Sequence, residues 1–198
     1  LFRMDLSALQ AAIAADIGQQ RHPFAVVASA GTTNTGSVDP LPEIAALCRQ
    51  YGLWMHVDGA FGASALLSEQ HKRDLAGIGL SDSLSWDAHK WLLQTYGCSM
   101  VLVRDQSLLS HSFAAHPEYL KDAESAAGAV EFWDLGPELT RPARALKLWL
   151  TLQVLGSQAV GRVIDHGCVM AELAEQRLRS NPAWQIVCPA QLGILNFR

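Results

Sequence analysis

The chain has 198 residues, 49% of them hydrophobic and 17% charged, with a formal net charge of −4. That is ordinary globular composition, long enough to bury a sizeable core in one large domain or in one domain and part of another. The weak charge excludes a polyelectrolyte face for nucleic acid, and no apolar run is long enough to span a bilayer. Four widely spaced cysteines without a Cys-x-x-Cys pair point away from zinc knuckles and disulfide scaffolds and toward a reducing cytoplasm.

Residues 4–19 carry apolar positions at helical spacing, with Asp5 or Ser7 as the N-cap. Pro23 ends that pattern. Residues 24–29 (Phe-Ala-Val-Val-Ala-Ser) predict a strand buried on both faces. Residues 31–36 (Gly-Thr-Thr-Asn-Thr-Gly) form a turn-rich loop. Residues 40–51 predict a helix stopped at Gly52, and residues 53–57 the next strand. A helical or irregular stretch runs to about Leu75, and short strands follow over 83–86 and 99–103. Residues 107–136 mix His, Pro, Ala and Gly without a clear period, and loops of that length are often functional lids. Residues 141–155 and 157–180 predict two long helices separated by Gly156, followed by strands over 184–187 and 192–197. This change of texture predicts a large domain over 1–146, then a connecting helix and the start of a smaller C-terminal α/β domain over 147–198. A chain that begins at Leu1 and stops at Arg198, directly after an apolar run, reads as a fragment.

Strands alternating with helices predict the α/β class, with a mostly parallel sheet flanked by helices. In such sheets, ligands bind beyond the carboxyl ends of the strands. Asp58 falls at one strand end, residues 31–33 just after another, and residues 87–90 just after a third. These three groups are therefore expected to face one crevice.

Each residue has a plain reading when taken alone. Asp58 serves equally well as a helix cap, and Thr32 and Thr33 as turn residues. Lys90 alone is a solvated lysine, although Trp86, Trp91, Leu92 and Leu93 around it favour burial. His56 and Asp58 share a strand face, as a metal pair would, but no third ligand accompanies them and no metal is expected. His89 fits a core histidine, and Tyr119 ordinary loop packing. Asp39, before Pro40, reads as the cap of the following helix. Arg141 and Arg144 lie one helical turn apart, as on a solvated face.

Three motifs occur together: His56-Val-Asp-Gly-Ala60, the His89-Lys-Trp91 tripeptide, and Ala30-Gly-Thr-Thr-Asn-Thr-Gly-Ser-Val-Asp-Pro40. In this order and spacing the chain resembles the group II pyridoxal-phosphate-dependent amino-acid decarboxylases over nearly its whole length. The resemblance implies the aspartate-aminotransferase-like fold (fold type I), pyridoxal 5′-phosphate as cofactor, and a homodimer with its active site at the subunit interface. It implies decarboxylation of an L-amino acid to an amine and carbon dioxide. Other reactions on the same fold (aldehyde synthase, lyase, aminotransferase) and a non-catalytic dimerisation remnant are the alternatives.

Residue by residue, the resemblance implies that Lys90 bonds the cofactor covalently and that Asp58 faces the pyridine nitrogen. Ala60 lies under one ring face, and Thr33 near the cofactor's 3′-oxygen. His89 sits beside the lysine near the mobile loop. Asp87 occupies the place of an asparagine that binds the cofactor phosphate in many relatives, although a carboxylate there repels phosphate unless protonated or turned away. Ala88 stands where relatives often carry proline. Tyr119, in His116-Pro-Glu-Tyr-Leu-Lys121, matches the proton donor of a mobile catalytic loop. Lys90, Tyr119 and His89 are thus the implied catalytic residues, and Arg141 joins the active-site or domain-interface network. The family's Ser/Gly-rich phosphate-binding segment and ring-stacking histidine are expected upstream of Leu1. Phe61, Trp86 and the segment around Tyr119 are expected to contribute to substrate choice, with a lean toward aromatic or small polar amino acids.

Overall fold

Asp5 starts the first helix, α1 (Leu6–Gly18), by accepting the Ala8 N–H at 2.9 Å, the usual remedy for an orphan donor in a first turn. In this computed structural model residues 2–114 and 131–198 are described. They fall into two compact units, Leu1–Leu102 with Arg144–Arg198, and Val103–Ala143.

The first unit is built on a four-stranded sheet of β1 (Ala25–Ser29), β2 (Trp54–Asp58), β3 (Ser83–Asp87) and β4 (Ser99–Val103), in that spatial order. β1, β2 and β3 run parallel, with Ser29 opposite Asp58 and Asp58 opposite Ser85. This register sets three polar side chains in a row at the carboxyl edge, where parallel sheets bind ligands. Between β1 and β2 lies α2 (Leu41–Tyr51), stopped by Gly52 in the left-handed conformation at φ 66°. Its buried Leu41, Ile44 and Cys48 join Val26, Ala28, Met55 and Val57 of the strands in one core. Short 3₁₀ turns at Gly62–Leu67, Lys72–Leu75 and Ile78–Leu80 fill the path from β2 to β3. Helix α4 (Ala145–Leu155) and the longer α5 (Ser157–Arg179) complete this unit with a hairpin of β5 (Ile186–Gln191) and β6 (Ile194–Phe197). All four cysteines are free and buried.

Several expectations need correction. β1 is not buried on both faces, because Val27 is 59% exposed while Val26 and Ala28 are buried. Asp39 does not cap α2. Its carboxylate instead accepts the Met4 N–H at 2.7 Å and the Ser29 N–H at 2.8 Å, tying the N-terminal segment to β1. Helix α4 begins at Ala145, so Arg141 and Arg144 precede it and share no helical face. Pro142 explains this, since it lacks an N–H and biases Arg141 away from the helical region. Residues 192–193 are the turn of the β5–β6 hairpin, with φ of 45° at Leu192 and 77° at Gly193. Positive φ at a leucine costs about 1 kcal/mol. Leu192 is only 6% exposed, and burying such a side chain returns about 2 kcal/mol, so burial wins.

In the second unit, α3 (Ser107–Phe113) forms where no regular structure was expected, and Phe132–Leu135 is a 3₁₀ turn. Asp105 accepts both the N–H and the hydroxyl of Ser107, which opens that helix. Arg141 lies over the Phe132 ring at 5.1 Å. Tyr119 and His116 lie outside the described residues.

Candidate functional site

The chain leaves β2 through Asp58-Gly-Ala-Phe61, and the path is tightly specified. Asp58 Oδ1 accepts the Ala60 N–H at 3.1 Å and the Ser85 hydroxyl at 3.3 Å, so the carboxylate is fixed against its own turn and against the next strand. A Cβ on Gly59 would sit 2.7 Å from Leu84 Cδ1 and 2.9 Å from Ala63 Cβ, so a larger residue there would have to displace its neighbours. The Ala60 carbonyl accepts the Asp87 N–H at 3.0 Å and so joins this turn to the end of β3.

From β3 the chain enters a tight turn, in which the Lys90 N–H bonds the Asp87 carbonyl at 3.1 Å. The same three-residue spacing brings Lys90 Nζ to Asp87 Oδ2 at 2.9 Å. Burial, the largest influence, pushes the Asp87 carboxyl up. Hydrogen bonds from Lys90 and Ser99 and the neighbouring positive charge outweigh it and hold the carboxyl below its ordinary value, so Asp87 is ionised at neutral pH. His89 Nδ1 accepts the Cys98 N–H at 3.3 Å, which leaves Nε2 to carry the ring proton, 3.8 Å from Asp87 Oδ2. The imidazole also lies against Tyr96, with ring centroids 4.8 Å apart.

The Lys90 side chain is 42% exposed, which corrects the expectation that its apolar neighbours bury it. Those neighbours point elsewhere. Leu92 is in the core, Trp86 and Trp91 pack against it, and Leu93 is exposed at φ 58°. The ammonium's bond to Asp87 holds the lysine at the strand end.

The loop after β1 divides its two threonines. Thr32 Oγ1 turns inward to Thr35 Oγ1 at 2.8 Å and Ser37 Oγ at 3.0 Å, stapling the loop, while Thr33 is exposed. Gly62 lets this loop meet the Asp58 turn, since a Cβ there would lie 2.2 Å from the Ala30 carbonyl oxygen. Lys90, Asp87 and His89 thus form one cluster, joined through Ala60 to Asp58. His56 takes no part. Its Nδ1 meets Ser83 Oγ at 2.7 Å, along with the Trp54 indole N–H. A cavity of about 490 Å³ lies apart from this cluster, lined by Arg3, His71, Asp74 and Glu172 among others.

Sequence reasoning passed over Ser85, Ser99, Gly62 and the Phe61–Trp91 ring pair. Ser85 was legible as a small polar residue two positions before Asp87 on the same strand face. The others depend on partners distant in sequence.

This arrangement, a lysine amine and a fixed carboxylate at neighbouring ends of a parallel sheet, coincides with a family match over the whole chain. The model of the pyridoxal-dependent decarboxylase conserved domain matches residues 1–198, and the chain belongs to that family. It is 46% identical over 197 residues to an aromatic-L-amino-acid decarboxylase of Bacillus atrophaeus, covering 99% of this chain and 41% of the relative. It is 34% identical over 191 residues to a phenylacetaldehyde synthase of Arabidopsis thaliana, covering 96% of this chain and 39% of that protein. Among solved structures, that of Oryza sativa TDC with PLP and tryptamine superposes with a TM-score of 0.93 at 30% identity, over 99% of this chain and 40% of that one. The fold is therefore that of the fold type I decarboxylases. The chain spans about two fifths of the length of the relatives it matches.

Proposed function

We propose that the protein decarboxylates an aromatic L-amino acid to its amine and carbon dioxide, with pyridoxal 5′-phosphate held by Lys90. The observation that carries this reading is the pairing of an accessible lysine amine with the fixed Asp58 carboxylate at adjacent strand ends. The residues fit the cofactor. Gly59 is closely packed, Ala60 is small, and the Asp58 bonds just described both use Oδ1.

When bound, the cofactor supplies an electron sink for the pair released as the Cα–carboxylate bond breaks. Lys90 would hold the cofactor through its amine and be the group that the substrate amine replaces. Asp58 stabilises positive charge at the pyridine nitrogen. Gly59 and Ala60 would allow the cofactor ring to approach the backbone closely, and Thr33 would help hold it. His89 carries its proton on the nitrogen facing the lysine cluster, where it can guide the reacting groups. Tyr119 returns a proton to Cα, a role resting on its motif alone. Asp87 is less suited to a phosphate than to a cation, because it is ionised.

We place the active site at a homodimer interface. The exposure of Lys90 and Asp58 supports this, since desolvation must come from elsewhere. A cytoplasmic location is supported by the four free cysteines. Among the described residues, no helix is long and apolar enough to cross a membrane.

The test is product analysis of the full protein with cofactor against a panel of L-amino acids. Release of carbon dioxide and amine from aromatic substrates is expected. Aldehyde with ammonia would favour the second reading, an aldehyde synthase, which the Arabidopsis relative supports. Tyr119→Phe is expected to keep cofactor binding and lose amine output.

A further inference from the structure

The Asp87 carboxylate is only 17% exposed, and an ionised group so placed needs a partner. It is also rigid. Its N–H bonds the Ala60 carbonyl and its own carbonyl takes the Lys90 N–H. Its carboxylate takes a bond from the Ser99 hydroxyl on β4, and His89 Nε2 lies 3.8 Å away. Lys90 is the opposite, a long and largely accessible side chain whose amine meets Asp87 Oδ2 at 2.9 Å.

We propose that Asp87 is a positioning residue that docks the Lys90 amine at the strand end whenever that amine is not bonded to cofactor. A free lysine side chain loses rotamer entropy when it is fixed. A rigid carboxylate three residues away offsets that loss beforehand. The amine then waits at the end of β3 against Asp87 instead of sweeping through solvent, both before the cofactor is captured and after a substrate amine displaces it. The ionised state of Asp87 supports this role and disfavours direct contact with a phosphate dianion.

The inference rests on the reading of Lys90 as the cofactor lysine, but its test does not need the cofactor. In the full protein stripped of cofactor, lysines are acetylated with a neutral active ester and followed residue by residue by peptide mass spectrometry. Lys72, bonded to Glu69 at 2.6 Å, and Lys147, bonded to the Thr95 carbonyl at 2.8 Å, serve as internal controls. Asp87→Asn keeps the shape and removes the charge, and it should speed Lys90 modification about fivefold while the controls stay constant. Asp87→Glu should restore most of the protection. A Lys90 rate within about twofold of wild type in Asp87→Asn, with or without weaker pyridoxal phosphate binding, overturns the proposal. If all three lysines speed up together, Asp87→Asn has unfolded. Ser99→Ala, which loosens the carboxylate without removing it, then decides by whether Lys90 alone accelerates. Failure of the wild type to form a Lys90-linked visible band with pyridoxal phosphate would instead overturn the cofactor reading and leave the labelling result intact.

Discussion

Phe61 and Trp91 stack face to face, with ring centroids 4.4 Å apart and planes within 8° of parallel. Phe61 ends the turn that carries Asp58, and Trp91 follows Lys90 directly, so the pair fastens together the segments that carry Asp58 and Lys90. The indole is wedged from behind. A Cβ on Gly193 would lie 3.1 Å from Trp91 Cζ2, and one on Gly167 3.4 Å from its Nε1. Trp91→Ala should therefore cost about 3 kcal/mol of stability and weaken cofactor binding. Trp91→Phe should retain most of both. Urea midpoints and cofactor titration check these expectations.

Gly62 is the contact point between the Thr33 loop and the Asp58 turn. A methyl group there would press 2.2 Å from the Ala30 carbonyl oxygen, which is backbone and cannot move aside cheaply. Gly62→Ala should cost about 3 kcal/mol. Gly52→Ala meets nothing within 4 Å and pays only for its left-handed backbone, about 1 kcal/mol. The order of the two thermal midpoints tests whether close approach or backbone angle dominates.

Glu175 on α5 fastens the C-terminal hairpin. It accepts the Ala190 N–H at 2.6 Å and pairs with Arg179 at 2.6 Å. The Ala190 bond is the main cause of a carboxyl held below its ordinary value of 4.5, with burial opposing it and Arg179 assisting. A folded-state value depressed in this way means that stability is fully present above pH 4.5 and is lost as the pH falls through the lower, folded value. The stability gap between wild type and Glu175→Gln should be constant at neutral pH and close as the solution is acidified below that point. A gap that does not shrink at all as the pH falls below 4.5 would contradict this, and denaturant melts across the range measure it.

The strands and their polar ends were legible because β-branched runs ending in Gly, Asp or Ser carry both the sheet and its crevice in their own sequence. Asp58 and Lys90 could be placed at neighbouring strand ends for that reason. What depended on distant partners was not legible. Asp39 looks like a cap for the proline helix beside it, yet its bonds go to Met4 and Ser29. Val27 belongs to an apolar run, but its exposure depends on what lies across β1. The apolar neighbours of Lys90 suggested burial, because sequence proximity does not say which way each side chain turns. The start of α4 was a missed local signal, since Pro142 was in view. So was Gly193, which marks the hairpin turn.

The most direct measurement is the visible spectrum of the full protein with pyridoxal phosphate, for wild type and for Lys90→Ala, alongside carbon dioxide release. Wild type should show a Lys90-linked visible band and release carbon dioxide from an aromatic amino acid, and Lys90→Ala should lose both while remaining folded. A variant that keeps the band and the carbon dioxide release would contradict the assignment of Lys90 as the cofactor lysine.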